Sequence, residues 1–170
     1  MKPYNYRNCK SLFGYAYNVH LRSGGVCQLC GCGGEALTFD LWRQLTVEHL
    51  IGKTQGGYLK DIRRSVAERF PELDPQAREH LVSSIDAANT VTACSFCNST
   101  TSQAQWTESM HELIQRAPDD PATAQAFVAA SLAKVLEKKR AEVQWKLASV
   151  NDAFAQQVLP AIQSNRNRAS

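Results

Sequence analysis

Residues 24–34 have the sequence GGVCQLCGCGG, a glycine-rich stretch in which Cys27 and Cys30 form a Cys-x-x-Cys pair. A second pair with the same spacing is formed by Cys94 and Cys97. Each Cys-x-x-Cys turn presents two thiolates on one side of a knuckle, and four thiolates satisfy a tetrahedral zinc ion. The two pairs therefore predict a structural zinc site that bridges distant parts of the chain.

The cysteines have other interpretations. A redox motif would explain one pair but not the other, and no βαβ pattern surrounds either pair. Cys32 is either a spare thiol that exchanges with Cys30 as a ligand or a free small side chain beside the site. Cys9 fits a buried apolar residue better than a further ligand. Zinc binding remains the preferred interpretation of the two pairs.

The composition is that of an ordinary globular protein of one domain. The 170 residues are 44% hydrophobic, and the net charge is +3. This mild positive charge is compatible with a nucleic-acid partner but does not demand one. The sequence has neither an apolar run long enough for a membrane span nor the pattern of a signal peptide, so we expect a cytoplasmic protein.

Hydrophobic periodicity predicts an α+β fold. Apolar and polar side chains alternate over residues 36–41, which predicts a strand, and a second β-prone run covers residues 45–51. Two helices are expected within residues 58–87, the second beginning at Asp74-Pro75 with an N-cap and a proline at the first helical position. A third β-prone run, residues 89–93, leads into the second cysteine pair and a polar helix.

Residues 106–170 have a helical pattern in which apolar side chains recur at helical spacing. Within it, Asp120-Pro121 repeats the N-cap and proline that predict the start of a helix. A break is expected near Asn151-Asp152, because the unbroken helix would be about 60 Å long. The apolar stripe either packs back on the domain or forms the interface of a homodimer, and its length favours the homodimer. Lys138 and Lys139 belong to a basic region that would favour contacts with phosphates.

The stretch VEHLIGKTQGG, residues 47–57, lies between the two cysteine pairs. Adjacent side chains of a strand point to opposite sides, so Glu48 can send its carboxylate to a metal while His49 faces an attacking water. Hydrolysis of a phosphodiester needs such a base together with a cation. A single Glu-His dipeptide is usually a surface pair. Its place between two cysteine pairs, before a loop that ends in Gly-Gly, makes this one specific.

In their order these motifs resemble the HNH nucleases, also called ββα-metal or His-Me finger nucleases. That family carries an acidic residue before a His, a loop ending in Gly-Gly, an Asn, and a Cys-x-x-Cys followed by Asn or His. The matching residues of this chain are Glu48-His49, Gly56-Gly57, Asn89, Cys94, Cys97 and Asn98. The resemblance covers about residues 26 to 102 and implies a small zinc-bound ββα core of treble-clef type.

The resemblance also implies a role for each matched residue. His49 is expected to be the general base, and Glu48 and Asn98 are expected to hold one catalytic divalent ion such as Mg²⁺. Asn89 is expected to brace the loop that carries the histidine, and the cysteines of the two pairs are expected to hold structural zinc. Glu48 stands where the family more often has Asp, and Gly52 stands where it usually has Pro.

The predicted organisation has three parts. An N-terminal arm or helix covers residues 1–25, and its aromatic and basic side chains either pack on the domain or contact DNA. A nuclease core covers residues 26–105 and contains the helical insertion 58–87. The helical C-terminal region, residues 106–170, follows. Candidate DNA contacts, with a solvated helix face as the alternative for the two arginines, are Lys53, Arg63, Arg64, Lys138 and Lys139.

The function expected from these features is a metal-dependent endonuclease for double-stranded DNA, of the kind found in restriction systems, phages, mobile elements or defence. The alternative is a catalytically idle zinc module that binds DNA or protein on the same scaffold. Such a module would need only the cysteines. An RNA-directed or toxin-like nuclease would use the same site and would differ only in its substrate.

Overall fold

A computed structural model describes residues 14–101 and 107–169 of the chain. Within them the chain is mostly helical with one small sheet, in agreement with the predicted α+β class. The predicted roles of Cys9 and of the first aromatic residues fall outside the described residues. The elements are α1 (Tyr15–Arg22), a 3₁₀ turn (Gly34–Ala36), α2 (Phe39–Trp42), β1 (Leu45–His49), a 3₁₀ turn (Lys53–Gln55), α3 (Leu59–Arg69), α4 (Pro75–Asn89), β2 (Thr90–Cys94), α5 (Ser95–Thr100), α6 (Met110–Gln115), α7 (Pro121–Ala153), a π-helical turn (Phe154–Val158) and α8 (Leu159–Ala169).

The two strands form an antiparallel pair. Leu45 lies opposite Cys94 at one end of the pair, and His49 lies opposite Thr90 at the other. Helix α5 begins directly after β2, so the two strands and this helix form a ββα unit. Because side chains alternate along a strand, Glu48 and His49 project to opposite faces of the sheet.

Helices α1 and α7 cover the two faces of this sheet. On the face of His49, the hydroxyl of Thr92 donates to the carbonyl of Val19 in α1 (3.3 Å). On the other face, Val143 of α7 is buried in a cluster with Ala93. The described part of the predicted N-terminal arm therefore packs on the domain.

A larger core joins the insertion to the C-terminal region. Most of its buried residues lie at helical spacing on four helices. They include Ile62 and Val66 of α3, Leu81, Val82 and Ile85 of α4, Met110, Leu113 and Ile114 of α6, and Val128, Leu132 and Val135 of α7. The predicted insertion, residues 58–87, and the predicted C-terminal region, residues 106–170, therefore share one hydrophobic core.

Two proline-led helices begin as the sequence predicts. The carboxylate of Asp74 accepts hydrogen bonds from the backbone N–H groups of Gln76 and Ala77 at the start of α4. The carboxylate of Asp120 accepts one from the N–H of Thr123 at the start of α7. These side chains satisfy donors that the first turn of a helix leaves unpaired.

The strand predicted for residues 36–41 is wrong. Thr38 instead caps the short helix α2, because its hydroxyl accepts a hydrogen bond from the N–H of Leu41 (3.2 Å). Phe39, which the alternation placed on an apolar face, is 72% exposed. A local cap of this kind competes with strand formation for the same backbone groups.

The break predicted near Asn151-Asp152 is also wrong, since α7 continues through the π-helical turn into α8. Pro160 explains the turn: it has no N–H, and its ring would clash with the carbonyl of Gln156 in a regular helix. Every side chain from residue 148 to residue 168 is exposed. None of the described helices combines the length and the apolar composition needed to cross a membrane.

The loop after β1 is held by Asn89, the last residue of α4. Its side-chain oxygen accepts a hydrogen bond from the N–H of Ile51 (2.8 Å). Its amide nitrogen donates to the carbonyls of Ile51 (3.1 Å) and Gly57 (2.8 Å). Asn89 is completely buried, so these three bonds satisfy a polar group that would otherwise be costly to bury.

Gly57→Ala is predicted to destabilise the protein by about 3 kcal/mol. A Cβ at this position would stand 1.6 Å from the carbonyl oxygen of Ile51 and 3.0 Å from the amide nitrogen of Asn89, so the braced loop would have to move. Urea unfolding measures the effect. Gly24→Ala is the control, because open space surrounds Gly24 and its φ of +61° costs about 1 kcal/mol for alanine. Equal losses in the two variants would contradict a tight contact at Gly57.

Candidate functional site

A cluster of cysteines lies beside the start of β1. The sulfur atoms of Cys27, Cys30, Cys32 and Cys94 all lie within 4.8 Å of one another, and those of Cys30 and Cys94 are 4.0 Å apart. Four sulfurs at about 2.3 Å from a tetrahedral zinc ion would be separated by about 3.8 Å. The cluster can therefore hold a metal ion and is compatible with structural zinc.

Backbone hydrogen bonds shape the turn that carries the first three of these cysteines. The N–H of Cys27 donates to the carbonyl of Cys32 (2.8 Å), which closes the turn. The N–H of Gln28 donates to the carbonyl of Thr92 (2.8 Å), which attaches the turn to β2. The second cysteine pair begins at the end of that strand, so the attachment of the turn to β2 brings the two halves of the cluster together.

Cys97 lies at the edge of the cluster. Its side chain is completely buried, and burial together with the neighbouring thiols of Cys94 and Cys30 raises its pKa. The sequence predicts Cys97 as a ligand and Cys32 as a spare thiol, whereas the structure includes Cys32 in the closest group of four. Five thiols are thus available for four coordination positions.

The environment of Cys27 favours the thiolate. Burial raises the pKa of its thiol, but the backbone N–H groups of Cys94, Cys30 and Leu29 outweigh that effect and lower the pKa to about 7. The hydrogen bond from the N–H of Cys94 is 3.3 Å long. Burial raises the pKa of Cys97, where no such group of donors compensates. A bound metal ion would itself stabilise the remaining thiolates.

His49 lies at the opposite end of the strand pair, between two tyrosines. The centre of its ring is 4.7 Å from the centre of Tyr58 and 6.3 Å from that of Tyr15, with which it is nearly parallel. Burial lowers the pKa of His49, and the negative charges of Asp86 and Glu48 oppose that effect without reversing it. The imidazole is therefore neutral at neutral pH, as a general base must be.

Asp86 completes the surroundings of His49. The hydroxyl of Tyr15 donates to the Asp86 carboxylate, whose two oxygens both lie 3.0 Å away. Burial raises the pKa of Asp86, although the Tyr15 hydroxyl and the positive charge of a protonated His49 act against this. The guanidinium of Arg22 donates to the hydroxyl of Thr90 (2.9 Å), which is the residue opposite His49 in the sheet.

Sequence reasoning missed Asp86 and Tyr58 as neighbours of His49. Asp86 stands three residues before Asn89 on the same helix, so the two share one helical face, and this spacing was a usable signal. Tyr58 follows directly after the Gly-Gly pair. Tyr15 was assigned only to an aromatic arm, because nothing in the sequence indicates that α1 packs on the sheet.

Glu48 and Asn98 do not fit the divalent-ion site that the resemblance implies. The carboxylate of Glu48 is buried and forms an ion pair with Lys139 of α7. The amide of Asn98 donates to the hydroxyl of Thr46 (2.9 Å). Mg²⁺ needs several oxygen ligands and usually keeps some of its water, and a buried carboxylate already paired with an ammonium group provides neither.

The candidate DNA contacts have different surroundings. Lys139 is only 5% exposed, so its assignment as a surface contact is wrong. Arg63 pairs with Glu79 (2.8 Å), and Arg64 pairs with Asp61 (3.3 Å). Lys138 lies at the surface of α7. Lys53 is exposed, and its ammonium lies 5.8 Å from the ring centre of Tyr58, which places it near His49.

The described residues thus form two centres, with the cysteine cluster at one end of the strand pair and His49 with Asp86 at the other. Comparison of the chain with protein-family models, with curated proteins and with solved structures finds no match. A function is therefore inferred from the chemistry of these two centres.

Loss of either Cys32 or Cys97 alone is predicted to leave one bound zinc ion per chain, because the remaining thiol can take the fourth position. The double variant Cys32→Ser/Cys97→Ser is expected to lose the ion and with it much of its thermal stability. Zinc content by elemental analysis and Tm by calorimetry measure both effects. Cys27→Ser is the reference for a ligand that cannot be replaced. Loss of zinc in one single variant only would instead identify that residue as an obligatory ligand.

Proposed function

We propose that this chain is an endonuclease of the HNH type that hydrolyses phosphodiester bonds in double-stranded DNA, with His49 as the general base. One observation carries the proposal. In the ββα unit of β1, β2 and α5, a neutral His49 ends the first strand, Asn89 holds the loop that follows it, and the cysteine cluster closes the opposite end. The resemblance to HNH nucleases implies this arrangement, in which one strand carries the histidine and an Asn braces the loop that follows.

The groups around His49 support the chemistry of a base. A neutral imidazole accepts a proton from the attacking water, and a nearby carboxylate stabilises the imidazolium that forms. Asp86 is close enough to raise the pKa of His49 electrostatically, and Tyr15 holds this carboxylate in place. Lys53 and Arg22 are exposed cations in this region that can face a phosphate.

The proposal includes a catalytic divalent ion only because the resemblance to HNH nucleases implies one. Glu48 and Asn98 do not fit a site for such an ion. The same observation favours the second candidate function, a zinc module that binds DNA or protein without cleaving it. The ion pair with Lys139 gives Glu48 a structural role, so the presence of this carboxylate does not require catalysis.

His49→Ala is predicted to lower the rate of plasmid nicking by about 10²- to 10⁴-fold, because the variant lacks the base. Nicking and linearisation of supercoiled plasmid are measured on gels with Mg²⁺, with Mn²⁺ and with EDTA. His80→Ala is the matched control, since His80 is an exposed histidine of α4, and it should keep the wild-type rate. A wild-type protein as inert as His49→Ala under all three conditions would favour the zinc module.

The same set of variants identifies the substrate. A structured RNA is added as competitor and, in separate reactions, as labelled substrate. DNA cleavage that depends on His49 and persists in excess RNA supports a DNA enzyme. Preferential cleavage of the RNA would instead assign the site to an RNA-directed or toxin-like nuclease.

We further propose that a second copy of the chain covers the exposed C-terminal helix. Val150, Phe154, Val158 and Ile162 recur at intervals of four residues and are 41–48% exposed. The π-helical turn adds the extra residue that keeps this spacing on one side of the helix. Antiparallel pairing of two copies would bring Asp152 of one chain towards the arginines at the end of the other, Arg166 and Arg168.

Phe154→Asp/Val158→Asp is predicted to convert the dimer into a monomer, because two carboxylates would lie in the apolar interface. Light scattering after gel filtration measures the mass. Gln156→Asp on the opposite side of the helix adds charge outside the stripe and should remain dimeric. A monomeric wild-type chain across the micromolar range would exclude the pairing.

A further inference from the structure

Glu48 and Lys139 are joined although 91 positions separate them in the sequence. Their side chains are 7% and 6% exposed, so the pair is almost completely removed from water. Lys139 lies one helical turn from Val135 and from Val143, and both valines are buried. The lysine is therefore directed inward by the same face of α7 that packs against the domain.

Charge explains why this pair stays together. A carboxylate buried without a partner is strongly unfavourable, and one ammonium group in hydrogen-bond contact neutralises it. A divalent ion at the same carboxylate would place two further positive charges beside Lys139. The ammonium would then have to leave, but the packing of Val135 and Val143 holds α7 against the sheet.

Asn98, the other ligand that the resemblance assigns to the ion, has a partner of its own. Its amide donates to Thr46, whose hydroxyl donates in turn to the carbonyl of Ala93 (3.0 Å). Thr46 and Glu48 lie on the same face of β1, so Asn98 and Lys139 both form their contacts on the face of the sheet that α7 covers. This face is closed by contacts within the chain.

We infer that Lys139 supplies the positive charge at Glu48 in place of a divalent ion, and that Glu48 fastens α7 to β1. The consequence for catalysis rests on the proposed function: a divalent ion used in hydrolysis is bound elsewhere than at Glu48. The ion pair itself does not depend on His49 being catalytic.

Binding of Mn²⁺ to the zinc-loaded full-length chain tests this inference by electron paramagnetic resonance. The wild type is compared with Glu48→Gln/Lys139→Met, in which neutral side chains of similar size replace both charges. Equal Mn²⁺ binding by these two proteins is expected. A Mn²⁺ ion that the wild type binds and the double variant loses would overturn the inference.

The single variant Lys139→Met gives a second measurement. Its Glu48 is left buried and unpaired, so Tm is expected to fall by about 10 °C, while the double variant recovers most of that loss. Lys134→Met, on the exposed face of α7, is the control and should keep the wild-type Tm. An unchanged Tm in Lys139→Met would also overturn the inference. Neither Mn²⁺ binding nor Tm depends on nuclease activity. If the plasmid assay of His49→Ala contradicts the proposed function, these two measurements therefore still test the role of Lys139.

Discussion

The antiparallel pairing of β1 with β2 is the contact that sets the two centres of the molecule at opposite ends of one small sheet. It joins strands separated by two helices and sets Leu45 beside Cys94 and His49 beside Thr90. The turn that carries Cys27, Cys30 and Cys32 is attached to β2 by backbone hydrogen bonds, so the cysteine cluster forms at one end of the pair. At the other end, α4 delivers Asp86 and Asn89 to the histidine and its loop. A shift of register by one residue would exchange the faces of Glu48 and His49.

The two faces of this small sheet have different environments, because different helices cover them. On one face, Tyr15 of α1, Tyr58 at the start of α3 and Asp86 of α4 surround His49, and this half-buried setting keeps the imidazole neutral. On the other face, α7 closes over Glu48 and neutralises it with Lys139. Glu48 and His49 are neighbours in the sequence but lie on opposite faces of the sheet. His49 therefore stays partly exposed, whereas Glu48 is buried in an ion pair with a structural role.

Close packing also decides which polar groups are available. Asn89 uses its whole side-chain amide on the backbone of the loop, and Gly57 is required there because a Cβ would overlap the carbonyl of Ile51. Arg63 and Arg64 are occupied by carboxylates of α4 and α3. Lys53 remains at the surface beside the tyrosine that contacts His49. The region around His49 is thus the part of the strand pair where exposed cations and a neutral base occur together.

Much of this architecture was readable in the sequence by itself. The spacing of the cysteine pairs, the N-caps Asp74 and Asp120 with their prolines, and the β-prone runs around residues 45–51 and 89–93 are local patterns that determine local structure. The strand expected at residues 36–41 did not form because a threonine cap competed with it. The helix expected to break near residue 151 instead continues through a π-helical turn before Pro160. Only the tertiary structure decided which cysteine joins the closest group of four and that Asp86 lies near His49. It alone also showed that Glu48, which the resemblance assigns to a metal ion, pairs with Lys139. Each of these depends on contacts between residues far apart in the chain, and periodicity carries no information about such contacts.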